Sequence, residues 1–90
     1  MMINMLNSPN LEYVATVIYP EGRVIDLYNV KDKQVTVLVQ NDHYHYWRAN
    51  GHVLDNPSTS NIVDVLARAG VGDLNYSEII LNKKLTPSSL

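Results

Sequence analysis

Asn56-Pro57-Ser58-Thr59-Ser60-Asn61-Ile62-Val63-Asp64-Val65-Leu66-Ala67-Arg68-Ala69-Gly70 is the stretch where the chain changes period. Ile62, Val65, Leu66 and Ala69 recur at i, i+3, i+4 and i+7, which is one apolar stripe of a helix. Ser58 or Ser60 can cap its start, and Gly70 stands where a C′ glycine ends a helix. The spacing predicts a helix over residues 59–69.

Upstream, turn signals cut the chain into short runs rich in β-branched and aromatic residues. Residues 12–19 make the first, Pro20-Glu21-Gly22 a turn, and residues 23–28 the return strand. Lys31-Asp32-Lys33 is a polar break before residues 34–40, the most apolar run. Asn41-Asp42 leads into residues 43–48 (His-Tyr-His-Tyr-Trp-Arg), and Asn50-Gly51 is a strong hairpin signal before a short strand, residues 52–55. Downstream, a second helical turn or two is expected around Tyr76 to Asn82, with Ser77 as cap and Ile79 and Ile80 as apolar residues.

Strands followed by helices specify the α+β class. The expectation is one small domain over residues 1–90: an antiparallel meander of about five strands, then one or two helices packed on one face. The expected core is Val14, Val17, Ile18, Val24, Leu27, Val37, Val39, Leu54, Ile62, Val65 and Leu66. Residues 35–39 are apolar on both sides, so that strand should be central, its second face covered by the tail helix or another subunit. An open sheet leaves two edges, and residues 52–55 would be the edge less protected by charge.

Composition narrows the function. With 90 residues there is room for one modest core, and 18% charged residues at a net charge of −2 favour neither disorder nor a polyanion-binding surface. No Cys is present, which removes disulfides, thiolate zinc sites and a cysteine nucleophile from these residues. No apolar run approaches the ~20 residues of a membrane helix, and Met1-Met2-Ile3-Asn4-Met5-Leu6 lacks a basic n-region. The expectation is a cytoplasmic chain or a piece of a larger protein, with no membrane or nucleic-acid partner and no cofactor. Residues 1–10 and 85–90 are expected to be flexible or to dock on a partner.

The chemically suggestive residues lie on the histidine strand. Alternation puts His43, His45 and Trp47 on one face and Tyr44, Tyr46 and Arg48 on the other. A two-residue Asn50-Gly51 loop would set Trp47 opposite Leu54, Tyr46 opposite Asp55 and His45 opposite Asn56. His-x-His suits a metal ion, but that register leaves His52 about 13 Å from His45, too far for a third ligand. A His with an Asn or Asp orienter suits a general base in thiol chemistry, for which His43 with Asn56 or Asp55 are the candidate catalytic residues. His45, Tyr44, Tyr46 and Trp47 are candidate binding residues, able to stack on a ligand. Against all three stands the plainer possibility that Tyr and Trp are good strand formers in a half-buried sheet.

A strand entering His-Tyr after a polar turn resembles the C-terminal half of ovarian-tumour (OTU) and related papain-like cysteine peptidases, over roughly residues 13–48. The resemblance implies that His43, followed by Tyr44, takes the place of the base. His45 stands where that family usually has Asp or Asn, and Asp55 or Asn56 fits relatives that take the orienter from the next strand. The Cys-bearing helix of the family has no counterpart here, so the chain would be an incomplete or inactive relative. The leading functional expectation is a non-catalytic α+β module acting through a protein partner or self-association, with the peptidase fragment as alternative.

Overall fold

Two tight turns set the register of the first three strands. In Tyr19-Pro20-Glu21-Gly22-Arg23, Gly22 N donates to Tyr19 O and Tyr19 N to Arg23 O, each at 2.9 Å. Pro20 presets the turn and Gly22 takes φ +100°, the left-handed position of a three-residue hairpin. At the second turn Lys33 N donates to Val30 O (3.1 Å), and Gln34 takes φ 55° while its Nε2 donates to Lys31 O at 2.8 Å.

The computed structural model describes residues 11–40, the backbone of residues 45–50, and residues 53–69 and 74–85. Its elements are β1 (Leu11–Ile18), β2 (Val24–Val30), β3 (Val35–Gln40), β4 (His45–Asn50), α1 (Thr59–Ala69) and β5 (Glu78–Leu81). The strands form one antiparallel sheet of order β4-β3-β2-β1-β5. The fold is thus α+β with an antiparallel sheet, and β1 to β4 fall on four of the expected strands.

Two expected elements are corrected. Residues 53–56 form no strand, and β5 replaces the expected second helix at residues 76–82. A segment that short gains little from isolated helix formation, whereas pairing with β1 satisfies its backbone. Ala15, Thr16, Val17 and Ile18 lie opposite Leu81, Ile80, Ile79 and Glu78. After β4 the chain therefore does not stop at a sheet edge. It crosses to the opposite edge through α1, and β5 joins there.

α1 occupies the residues its apolar spacing predicts. Ser58 is the N-cap: its Oγ accepts from Asn61 N (3.2 Å), and Asn61 Oδ1 accepts from Ser58 N (3.2 Å), a reciprocal box with Asn in the usual Glu position. Exposed Asp64 and Arg68 pair at 2.9 Å one turn apart. The inward stripe, Ile62, Val65 and Leu66, belongs to one buried cluster with Val14, Ala15, Val17, Tyr19, Ile25, Leu27 and Leu38. Each such aliphatic side chain contributes about 1.5–3 kcal/mol by leaving water.

The other sheet face has its own buried cluster, Val30, Val35, Val37 and Val39, with Leu11 and Tyr28 packed against it. This explains why residues 35–39 are apolar on both sides: all five are buried. Three expected core residues are less buried. Ile18 and Val24 are intermediate, lying opposite each other beside the Tyr19–Arg23 turn, and Leu54 is a partly buried neighbour of the helix-side cluster.

Asn29 fastens the crossover to the sheet. It is fully buried, flanked across the strands by its register partners Glu12 and Thr36. Its Nδ2 donates to Glu12 Oε1 (3.0 Å) and Leu54 O (2.8 Å). Its Oδ1 accepts from Leu54 N (2.8 Å) and Thr36 Oγ1 (3.1 Å). All four hydrogen-bonding sites of the amide are used. Asn29 treats the Leu54 peptide as a neighbouring strand would, which is why residues 53–56 need no strand of their own.

Candidate interaction surface

The residues singled out by sequence are not assembled as the counted hairpin requires. His43 and Tyr44 lie outside the described residues. On β4, His45, Tyr46 and Trp47 have Gln40, Val39 and Leu38 of β3 as their register partners. Asp55 and Asn56 are exposed and belong to a bend. With its amide oriented to suit its surroundings, Asn56 donates to the carbonyls of Asp55 and Leu85, each at 3.3 Å. The register setting Asp55 and Asn56 opposite β4 is thus replaced by the hold of Asn29 on Leu54.

A polar cluster that sequence reasoning missed lies on the sheet face remote from α1. Tyr13 donates its hydroxyl proton to Thr16 Oγ1, and Thr16 Oγ1 donates to Asp26 Oδ1 at 2.6 Å. The ring of Tyr13 meets that of Tyr28 edge-on, with centroids 5.9 Å apart. Burial, then the negative charge of Asp26 and then Tyr13, raise the pKa of the Tyr28 phenol above its ordinary value. The cluster orders the middle of that face through a hydroxyl chain ending on a carboxylate. The sequence signal was alternation: Thr16 and Asp26 sit at outward positions of strands whose inward positions are apolar.

The more open region is the β5 edge. The hydrogen bond from Tyr19 N to Arg23 O means that Tyr19, Val17 and Ala15 bond toward β2, so Thr16 and Ile18 bond toward β5. Their partners Ile80 and Glu78 spend their backbone groups on β1. Ile79 and Leu81 then direct N–H and C=O off the edge. Their side chains pack into the helix-side cluster, while Ile80, 43% exposed, stands on the other face. A shallow groove of about 510 Å³ follows this edge, lined by Glu78, Ile79, Ile80, Leu81 and Lys83.

Asn82 sets the end of this strand. Its N donates to Val14 O (2.9 Å) and its Nδ2 to Tyr13 O (2.9 Å), at the bulge that shifts the β1 register between Tyr13 and Ala15. Its Oδ1 and O accept from Lys84 N and Leu85 N, turning the chain away. Val14 O continues the alternation of Ile18 and Thr16 toward β5, the bulge brings Tyr13 O to the same side, and Asn82 collects both.

Comparison of the chain with family models, curated proteins and solved structures finds no match. Among the described residues, no helix is long and apolar enough to cross a membrane, and no three His, Cys, Asp or Glu side chains gather as a metal site would need.

Proposed function

We propose that the chain is a non-catalytic α+β module that acts through protein–protein association, and that the β5 edge is its contact surface. The observation that carries this reading is the edge itself. Two residues of a sheet-terminal strand direct their backbone groups outward, beside an apolar groove and an exposed Ile80. An edge of this kind accepts an extended segment by strand addition, in which main-chain hydrogen bonds supply affinity and alternate side chains supply specificity. Leu74, four residues before β5 in sequence, is a further exposed apolar residue.

The test is titration with an extended alternating valine–threonine octapeptide, followed by amide NMR. Shifts concentrated at Ile79, Leu81 and their β1 neighbours are expected. Shifts confined to β4, or none at any residue, would overturn the assignment of the surface.

A further inference from the structure

We infer that the strand added to the β5 edge is the β5 of a second copy of this chain, paired antiparallel about a two-fold axis perpendicular to the sheet. The inference rests on the association reading above and names the partner.

One register pairs both outward residues with each other. A two-fold axis perpendicular to a sheet preserves its faces, so each residue must meet one of the same parity in the other copy. Outward hydrogen-bonding residues must also meet each other, and Ile79 and Leu81 are those residues. Setting Ile80 against Ile80 of the second copy meets both conditions. Ile79 then faces Leu81 of the second copy, and Leu81 faces Ile79, each pair exchanging two main-chain hydrogen bonds. The exposed Ile80 side chains meet at the axis as a close, non-hydrogen-bonded pair. The helix-side cluster of each copy continues into the other through Ile79 and Leu81.

Charge selects a second copy over an unrelated strand. The edge reads Glu78-Ile79-Ile80-Leu81-Asn82-Lys83-Lys84, acidic at its start and basic at its end. In antiparallel self-pairing Glu78 lies opposite Asn82 of the second copy, at the end of β5 from which the turn carrying Lys83 and Lys84 leads off. A parallel copy would set Glu78 beside Glu78. The strand is thus complementary to its own reverse, with the charges at the ends of the contact and apolar residues at its centre.

Sedimentation equilibrium of the full chain, with hydrogen exchange at rising concentration, tests this. A monomer–dimer equilibrium is expected, with the Ile79 and Leu81 amides gaining protection as dimer forms. Ile80→Lys, at an exposed position that a folded monomer tolerates, should weaken dimerisation about tenfold or more by setting two ammonium groups face to face. Glu78→Lys should weaken it, and Glu78→Lys with Lys84→Glu should restore it. A dimer indifferent to Ile80→Lys, or a dissociation constant above about 1 mM, overturns the self-pairing. In that case the octapeptide separates the two readings. Protection of Ile79 and Leu81 by the peptide removes only the second copy as partner, and continued fast exchange removes the association surface as well.

Discussion

Asn29 and the β5 edge are two places where the sheet meets chain that is not part of its ladder, and they are treated in opposite ways. At Asn29 a buried side-chain amide takes the part of a strand and closes both backbone groups of Leu54. At β5 no described side chain does this for Ile79 and Leu81. Backbone groups sealed from water need partners within the molecule, whereas groups at an edge can be left to water or to another strand. The first region therefore carries stability, and the second is free to carry association.

Removing the closure should produce the largest effect. Asn29→Leu leaves the Leu54 peptide and the Thr36 hydroxyl without their amide partner in a buried setting. At about 1–3 kcal/mol for each buried group left unsatisfied, the expected loss is about 3–5 kcal/mol by urea denaturation. A loss below about 1 kcal/mol would show that water reaches Leu54 and that the region is not sealed.

Asn82→Ala probes the joint between the open edge and the rest of the sheet. It removes the donor to Tyr13 O and the acceptor for Lys84 N, so about 2 kcal/mol should be lost. Fraying of β5 should accompany this, seen as faster exchange at Ile80, whose amide bonds to β1. Unchanged exchange at Ile80 would mean that the strand is held by Ile79 and Leu81 packing alone.

These two asparagines also mark what was hard to read in the sequence. The helix over residues 59–69 was legible because its stripe and its Ser58 cap agree, and β1 to β3 because their turns are chemically explicit. The segment 76–82 was misread because Ile79 and Ile80 fit either period when counted over so few residues. Its alternation, Glu78 out, Ile79 in, Ile80 out and Leu81 in, becomes decisive only against β1. Residues 52–55 looked like a strand because Asn50-Gly51 predicts a hairpin, and nothing local announces that a buried Asn29, 25 positions earlier than Leu54, already serves that backbone. Long-range side-chain-to-backbone bonds leave no periodicity. The placing of Asp55 and Asn56 opposite β4 rests on the same hairpin count, and residues 53–56 form no strand.

Gly22→Ala gives a smaller, local change that leaves both regions intact. A Cβ there meets no atom within 4 Å, so the cost comes only from a φ of +100°. About 1 kcal/mol should be lost, with no change in the proposed association of the β5 edge. A change in dimerisation in this variant would mean that the β1 register, and with it the choice of Ile79 and Leu81 as outward residues, depends on this turn.

The smallest effect concerns Tyr28, which lies between the sealed and the open parts of the face remote from α1. Burial, Asp26 and Tyr13 all disfavour its phenolate, so its folded pKa lies above the ordinary tyrosine value near 10. A raised pKa means that the folded state holds the proton more tightly than the unfolded chain. The associated stability is fully present below the unfolded pKa and is lost as pH rises through the folded one, so the fold should weaken at alkaline pH. Asp26→Asn removes the second of the three causes and keeps the first, so Tyr28 should ionise at lower pH than in the parent while remaining above a free tyrosine. Ring-carbon NMR can follow this one phenol among the six tyrosines. An identical midpoint in the variant would show that burial and Tyr13 set the shift and that the Asp26 charge is screened by water. This part of the face would then belong with the open edge and not with the sealed valines of β3.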